Sequence, residues 1–229
     1  MRKFWGFYDN GKYKVGCNGA TVYVYDSDEN EIVKFKDFPS AYTGAFMPGK
    51  NIIAVKSTIG CLGFYDLDKL KLVKKHIITH IGGQDGGFTF SKDGKYFYNI
   101  ESPVTTLRTE IGVYKTTDFS KDYTLNFDEK LFLRDIELAS EDNKFYVYGF
   151  MRGDNGILSK YVVGIFDEEK LEIDNIKTIT TADGDYLSAY RNWRHSGFTD
   201  KCYPKIYCKK YGDLDKDKLF TIKDIYNKY

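Results

Sequence analysis

The sequence carries its clearest structural signal in Phe88-Thr89-Phe90-Ser91-Lys92-Asp93-Gly94-Lys95, which is followed by Tyr96-Phe97-Tyr98. Aromatic and β-branched residues flank a short polar segment, as they do in two paired strands. Asp-Gly supplies the positive φ that a tight hairpin turn needs, and the lysine after it faces solvent. The stretch therefore predicts a β-hairpin with Gly94 in its turn.

The same pattern occurs three more times along the chain. In each copy a Gly or Asn directly precedes a lysine, at Gly11-Lys12, Gly49-Lys50 and Asn143-Lys144. The four turn lysines are 38, 45 and 49 residues apart. Each hairpin is followed by a third apolar strand, a polar turn and a more exposed fourth strand. An antiparallel four-stranded unit that repeats near 45 residues is the sequence signature of a β-propeller blade.

Two segments resemble a known group of repeat proteins. The stretch Phe88–Lys95 resembles the SPDGK hairpin of WD-repeat-like and YVTN-type propellers, and Phe64-Tyr65-Asp66-Leu67 is similar to their exit from the third strand. The chain lacks the Gly-His and Trp-Asp pairs of true WD repeats. The resemblance covers about residues 5 to 180 and implies the fold, without implying an activity.

We therefore expect an all-β protein, a single β-propeller domain over 1–229 with about five blades, in a ring closed by the termini. The expected blades are approximately 5–37, 41–77, 84–127, 132–180 and 186–229, the last a degenerate blade that begins with a strand over Tyr186 to Trp193. Four blades plus a cap, or an unclosed fragment, are the alternatives. The residues expected to be buried between blades are Phe46, Ile53, Val55, Phe64, Phe90, Phe97, Val113, Leu138, Phe145, Val147, Val163 and Ile165.

Composition restricts the partners. The 229 residues include 34 Lys plus Arg and 33 Asp plus Glu, which gives a formal net charge of +1. This balance disfavours nucleic acid as a partner. No run of apolar residues is long enough for a membrane span or a signal peptide, so we expect a cytoplasmic protein with no membrane partner. The four cysteines are expected to be reduced, and in an oxidising compartment Cys202 and Cys208 are the pair to test.

Several short segments partly match the sequence motifs of functional sites. Asp213 to Asp217 with Asp224 imitates a calcium loop, but Lys218 stands where that loop needs Gly, so an outer turn is predicted. The Gly-rich stretch 82–87 precedes a strand rather than a helix, which favours a connection between blades over a phosphate site. Arg152-Gly153-Asp154 is expected to be a turn. The three histidines, His76, His80 and His195, are too scattered to predict a shared metal site. We expect neither a metal nor a cofactor.

Two classes of function fit the predicted fold. The first is a non-catalytic binding or scaffold protein that binds a protein or small-molecule ligand at the mouth of the central channel. The alternatives are a carbohydrate-binding lectin and a small glycoside-active hydrolase with carboxylates in the channel. Converging carboxylates in the channel would favour the enzyme, whereas an apolar or aromatic mouth would favour binding.

The candidate ligand-binding residues lie on the connections that enter each blade, because these connections are expected to meet at one face of the ring. Arg134 and Arg191 are the expected readers of an anion or carbonyl, since a guanidinium offers a planar fork of donors. Tyr190 and Trp193 would supply a stacking surface. No catalytic residue is predicted. The complete set is Tyr42, His80, Gln84, Asp85, Arg134, Asp135, Tyr190, Arg191, Trp193 and Arg194.

Overall fold

The computed structural model describes residues 2–78, 86–102, 108–153, 158–197, 199–203 and 219–229. Within them, sixteen strands form four antiparallel sheets, each made of four consecutive strands. The first sheet contains β1 (Gly6–Asp9), β2 (Tyr13–Asn18), β3 (Thr21–Asp26) and β4 (Glu31–Phe35). The second contains β5 (Ala41–Phe46), β6 (Ile52–Ser57), β7 (Cys61–Asp66) and β8 (Lys71–Ile77). The third contains β9 (Phe88–Phe90), β10 (Tyr96–Glu101), β11 (Glu110–Lys115) and β12 (Lys121–Asn126). The fourth contains β13 (Leu131–Ala139), β14 (Lys144–Arg152), β15 (Leu158–Asp167) and β16 (Glu172–Ile179).

The predicted hairpin turns are confirmed. Each lies between the first two strands of its sheet, with φ of 88° at Gly11, 66° at Gly49, 68° at Gly94 and 58° at Asn143. Asn is among the non-glycine residues that reach this left-handed region most readily, because its short polar side chain bonds locally. The local turn chemistry therefore sets the start of every blade.

The sheets pack face to face in chain order. One apolar cluster joins the first sheet to the second, another the second to the third, and another the third to the fourth. Most of the predicted core residues are fully buried in these clusters, and Phe46 and Leu138 are half-buried against them. Val163 and Ile165 were also expected between blades, but they lie on the face of the fourth sheet that packs against Leu187, Tyr190 and residues 222–226. The first strands are innermost, since β1 contacts β5 and β9 contacts β13.

Residues 181–194 differ from the prediction. The expected strand over Tyr186 to Trp193 is instead part of a helix, α1 (Thr181–Arg194). Thr180 caps it, with its hydroxyl accepting from the Asp183 amide, and the buried positions Gly184 and Leu187 follow helical spacing. A second helix, α2 (Ile222–Lys228), packs with α1 on the fourth sheet. Helices therefore cover the face on which a fifth blade was expected.

The N-terminal residues meet residues 201–203 beside the first sheet. The Phe4 amide donates to the Lys201 carbonyl at 3.1 Å, and the Tyr203 amide donates to the Phe4 carbonyl at 2.7 Å. These bonds form a single parallel bridge between Phe4 and Cys202. Among the described residues there are four blades and not the expected five, and none of the four sheets combines strands from both ends of the chain.

Candidate functional site

A cavity of about 380 Å³ lies where the innermost strands of the sheets meet the end of α1. Its walls come from the later residues of β1, β5, β9 and β13, with Arg194 and His195 contributed by α1 and its C-cap. The lining residues are Tyr8, Gly44, Ala45, Phe46, Pro48, Phe88, Thr89, Phe90, Leu138, Arg194 and His195.

The lining is mostly apolar and aromatic. Of the described residues that form it, none carries a carboxylate, and the ionisable groups are Tyr8, Arg194 and His195. Burial raises the pKa of the Tyr8 phenol well above its usual value, so this group is neutral. The cavity therefore offers an apolar surface with a polar side at Arg194 and His195.

Asp135 lies behind that polar side and is fully buried, with 0% of its surface exposed. Its Oδ1 accepts from Arg194 Nη2 at 2.5 Å, from His195 Nε2 at 2.9 Å and from the Ile136 amide at 2.9 Å. Gly87 makes room for this carboxylate, because a Cβ there would lie 1.8 Å from Oδ1. Asp135 is thus a partner of Arg194 and His195, and it does not itself line the cavity.

Counting protons fixes the tautomer of His195. Arg194 Nη2 carries two protons, which it donates to Asp135 Oδ1 and to the Ile136 carbonyl at 3.0 Å. Neither remains for His195 Nε2, although the two nitrogens are 3.0 Å apart. Nε2 must therefore carry a proton and donate to Asp135, because two lone pairs would otherwise face each other. The lone pair of the neutral ring is then on Nδ1.

Electrostatics keeps His195 neutral at pH 7. Burial lowers the pKa of His195 to about 4, and the positive charge of Arg194 acts in the same direction against the Asp135 carboxylate. Burial alone would raise the pKa of Asp135, but the charges of Arg194 and Arg191 and the hydrogen bond from His195 together outweigh it and hold that pKa well below the usual range. Asp135 and Arg194 form an ion pair, with a neutral imidazole beside it.

The backbone of His195 is fixed by several elements. Its amide donates to the Arg191 carbonyl at 2.9 Å and ends α1. Its carbonyl accepts from the Tyr8 hydroxyl at 2.6 Å and the Thr43 hydroxyl at 2.5 Å, which belong to β1 and β5. The ring centroid lies 4.7 Å from that of Phe88 on β9. Together with Asp135 of β13, these contacts mean that four strands and one helix set the position of this residue.

The structure brings together part of the predicted set. Asp135 and Arg194 are in contact, and Arg194 lines the cavity. Tyr190 is buried and donates to Glu137 at 2.6 Å, Arg191 is buried, and Trp193 is half-buried. None of these three is among the described cavity-lining residues.

The predicted residues on the connections lie elsewhere. The Tyr42 ring packs near Trp5, with centroids 5.9 Å apart, and the Arg134 carbonyl accepts from the Gly87 amide at 2.9 Å. Both precede the cavity-lining residues of their strands, so the cavity is nearer the hairpin turns than the connections. The described residues do not include three of the predicted binding residues, His80, Gln84 and Asp85. They also do not include Cys208, Asp154 or residues 213–217 of the segment that was compared with a calcium loop.

His195, Tyr8 and Phe88 were not predicted. A helical reading of 181–194 would have placed His195 at the C-cap beside Arg194. Nothing local to the sequence joins it to Asp135, sixty residues earlier. The described residues contain no group of three or more His, Cys, Asp or Glu side chains that could bind a metal ion. Neither described helix is long and apolar enough to span a bilayer.

A second buried polar group joins the second sheet to the third. Lys56 Nζ donates to the Gly86 carbonyl at 2.8 Å, Asn99 Oδ1 at 2.8 Å and the Ile100 carbonyl at 3.0 Å. Asn99 donates in turn to Glu101 at 3.0 Å, and Glu101 also accepts from Lys121 at 2.8 Å. These side chains are occupied by one another, which indicates a structural role.

Comparison with solved structures agrees with the fold. Kuenenia stuttgartiensis hydrazine synthase matches with a TM-score of 0.60 and 15% identity, covering 76% of this chain and 52% of that one. The dihydro-heme d1 dehydrogenase NirN, in complex with DHE, matches with a TM-score of 0.57 and 13% identity, covering 76% and 37%. The chain thus spans about half or less of either neighbour. No protein-family model and no curated protein matches the sequence. Both neighbours are β-propeller proteins, and the four sheets give this chain the same fold.

Proposed function

We propose that this β-propeller is a non-catalytic binding protein whose central cavity takes a small ligand with an apolar body. One observation carries the proposal: the described lining is apolar and aromatic, with polar groups on one side. Pockets for small ligands have this composition, in which apolar surface supplies affinity and a few polar groups fix orientation. The volume of about 380 Å³ lies within the range such pockets have.

The lining argues against the hydrolase alternative. Glycoside hydrolysis needs two carboxyl groups on either side of the scissile bond, one of them a general acid with a raised pKa. Asp135, the acidic side chain that contacts Arg194 and His195, is buried behind the lining, and its pKa is lowered by Arg194. Such a carboxylate neither reaches a sugar ring nor donates a proton at neutral pH.

The finer predictions about architecture stay predictions. Membership of the WD-repeat-like or YVTN-type propellers rests on the hairpin resemblance alone. A ring of five units is supported by the position of the helices, which cover the fourth sheet, and by the contact of residues 201–203 with Phe4. In this interpretation the helical unit occupies the place of a fifth blade.

Binding of 2-methoxynaphthalene tests the proposed function. This neutral aromatic probe should bind the protein with a dissociation constant on the order of 0.1 mM, as measured by its fluorescence. Ala45→Leu should weaken binding about tenfold or more, because the added carbon atoms enter the cavity. Ala182→Leu, on the exposed first turn of α1, is the matched control. Absence of binding, or equal binding by the two variants, would refute the proposal.

A further inference from the structure

We propose that the ligand of the cavity carries a hydroxyl group that donates a hydrogen bond to His195 Nδ1, so that phenols or apolar alcohols are its chemical class. This inference rests on the proposed function and specifies the ligand of the same site. The polar side of the cavity carries the argument, since the two residues that form it, Arg194 and His195, supply a donor and an acceptor.

The acceptor is the lone pair of His195. Nε2 is occupied by Asp135, and no described residue bonds to Nδ1, which is not a buried atom. His195 is among the residues that line the cavity, and Nδ1 is the ring nitrogen that its contact with Asp135 leaves for a ligand there. A neutral imidazole nitrogen without a proton accepts a hydrogen bond and cannot donate one.

The donor is the guanidinium of Arg194. Its Nη2 protons are occupied by Asp135 and Ile136, whereas Nη1 has no described partner and is not a buried atom. Arg194 also lines the cavity. A hydroxyl group both donates and accepts, so its chemistry matches the acceptor of His195 as well as the donor of Arg194.

The other simple polar groups fit less well. An ether or a carbonyl only accepts, which leaves the lone pair of Nδ1 unsatisfied. A carboxylate also only accepts, and its charge would stand near the buried charge of Asp135. The tautomer does not adapt, because moving the proton to Nδ1 would set the lone pair of Nε2 against Asp135 Oδ1 at 2.9 Å.

Three matched probes test the inference: 2-naphthol, 2-methoxynaphthalene and 2-naphthoate, titrated at pH 7 against the full chain. We expect 2-naphthol to bind about five- to tenfold tighter than 2-methoxynaphthalene, the difference that one net hydrogen bond makes. In His195→Phe the aromatic ring is kept but both nitrogens are absent, so position 195 offers no acceptor. This variant should bind 2-naphthol and 2-methoxynaphthalene equally. His76→Phe is the matched control and should keep the preference, since His76 bonds to the Phe119 carbonyl and is not among the lining residues.

A spectroscopic measurement on the unaltered protein covers the case in which His195→Phe does not fold. In protein labelled with ¹⁵N-histidine, 2-naphthol should move the Nδ1 resonance of one histidine, and 2-methoxynaphthalene should leave it in place. Equal affinity for these two probes, or strongest binding of 2-naphthoate, would overturn the hydroxyl assignment while leaving the binding cavity intact. Failure of every probe to bind would overturn the proposed function itself.

Discussion

Lys56 Nζ lies 2.8 Å from Asn99 Oδ1, and this bond ties the second sheet to the third through side chains that are both buried. The ammonium group also donates to two backbone carbonyls, at Gly86 and Ile100. Acceptors inside a protein are costly to leave without a donor, because water cannot replace the lost partner. The Lys56 contacts therefore connect two blades at a position where apolar packing alone would leave several oxygens unsatisfied.

Replacing this lysine should destabilise the fold. Lys56→Met keeps an unbranched side chain but removes the donor from three buried acceptors, so we expect a loss of about 3 kcal/mol in the free energy of unfolding, measured with urea. Lys92→Met, at an exposed position in the β9–β10 turn, should change that free energy by less than about 0.5 kcal/mol. Equal effects of the two variants would contradict a linking role for Lys56.

The close approach of Gly87 to Asp135 predicts a severe effect of a single methyl group. In Gly87→Ala the new Cβ would lie 1.8 Å from Asp135 Oδ1, a carboxylate fixed by Arg194 and His195. We expect a loss of about 2 to 3 kcal/mol in unfolding free energy. Gly164→Ala is the control, since its nearest neighbour would be Ile173 Cγ2 at 3.1 Å, the end of an adaptable side chain. A smaller loss at position 87 than at 164 would contradict the described packing.

His195 predicts how stability depends on pH. Its pKa falls from 6.5 to about 4 on folding, so the unfolded chain binds more protons between these values. The contribution of His195 is fully present above pH 6.5 and is lost as the pH falls toward 4, by up to about 3 kcal/mol. The lowered pKa of Asp135 affects stability at lower pH than that of His195, because there the Asp135 carboxylate becomes protonated in the unfolded chain.

Urea unfolding at several pH values between 4.5 and 7 measures this dependence. In His195→Gln the slope of unfolding free energy against pH should flatten over that window, because Gln does not titrate. His76→Gln offers a comparison at a half-buried histidine far from Asp135. An unchanged slope in His195→Gln would mean that folding does not lower the pKa of His195.

The N-cap of α1 tests the helix that replaces the expected strand. Thr180 accepts from the Asp183 amide through its side chain, so Thr180→Ala should cost about 1 kcal/mol of unfolding free energy. Thr178→Ala, at an exposed position on β16, should cost less than half of that. If residues 181–194 formed a strand in solution, the loss at position 180 would not exceed that at 178.

Local chemistry explains which parts of the fold could be predicted. A turn at Gly94 needs only its own residues, so the hairpins, and with them the four blades, follow from the sequence. The helix over 181–194 was missed because its aromatic residues favour a strand by propensity, although Thr180 and Asp183 are typical of a helix start. Which of its residues are buried depends on packing against the fourth sheet, and rules based on neighbouring residues in the sequence do not contain that information.

The candidate site was predicted only in part for a related reason. Arg194 and Asp135 were both selected, from their places on connections, but their ion pair joins residues 59 positions apart. His195 was set aside because no other histidine lies near it in the sequence. Its chemistry comes from a carboxylate on another blade and from a proton count, both of which need coordinates.

The bridge between Phe4 and Cys202 has a consequence for the order in which the protein matures. Synthesis proceeds from the N-terminus, so the first blade leaves the ribosome long before the segment that pairs with it. The walls given by the four sheets can form during translation, but Arg194, His195 and the strip that pairs with Phe4 arrive late. A nascent chain therefore carries an unfinished cavity, whose lining is complete only when Arg194 and His195 have emerged and docked.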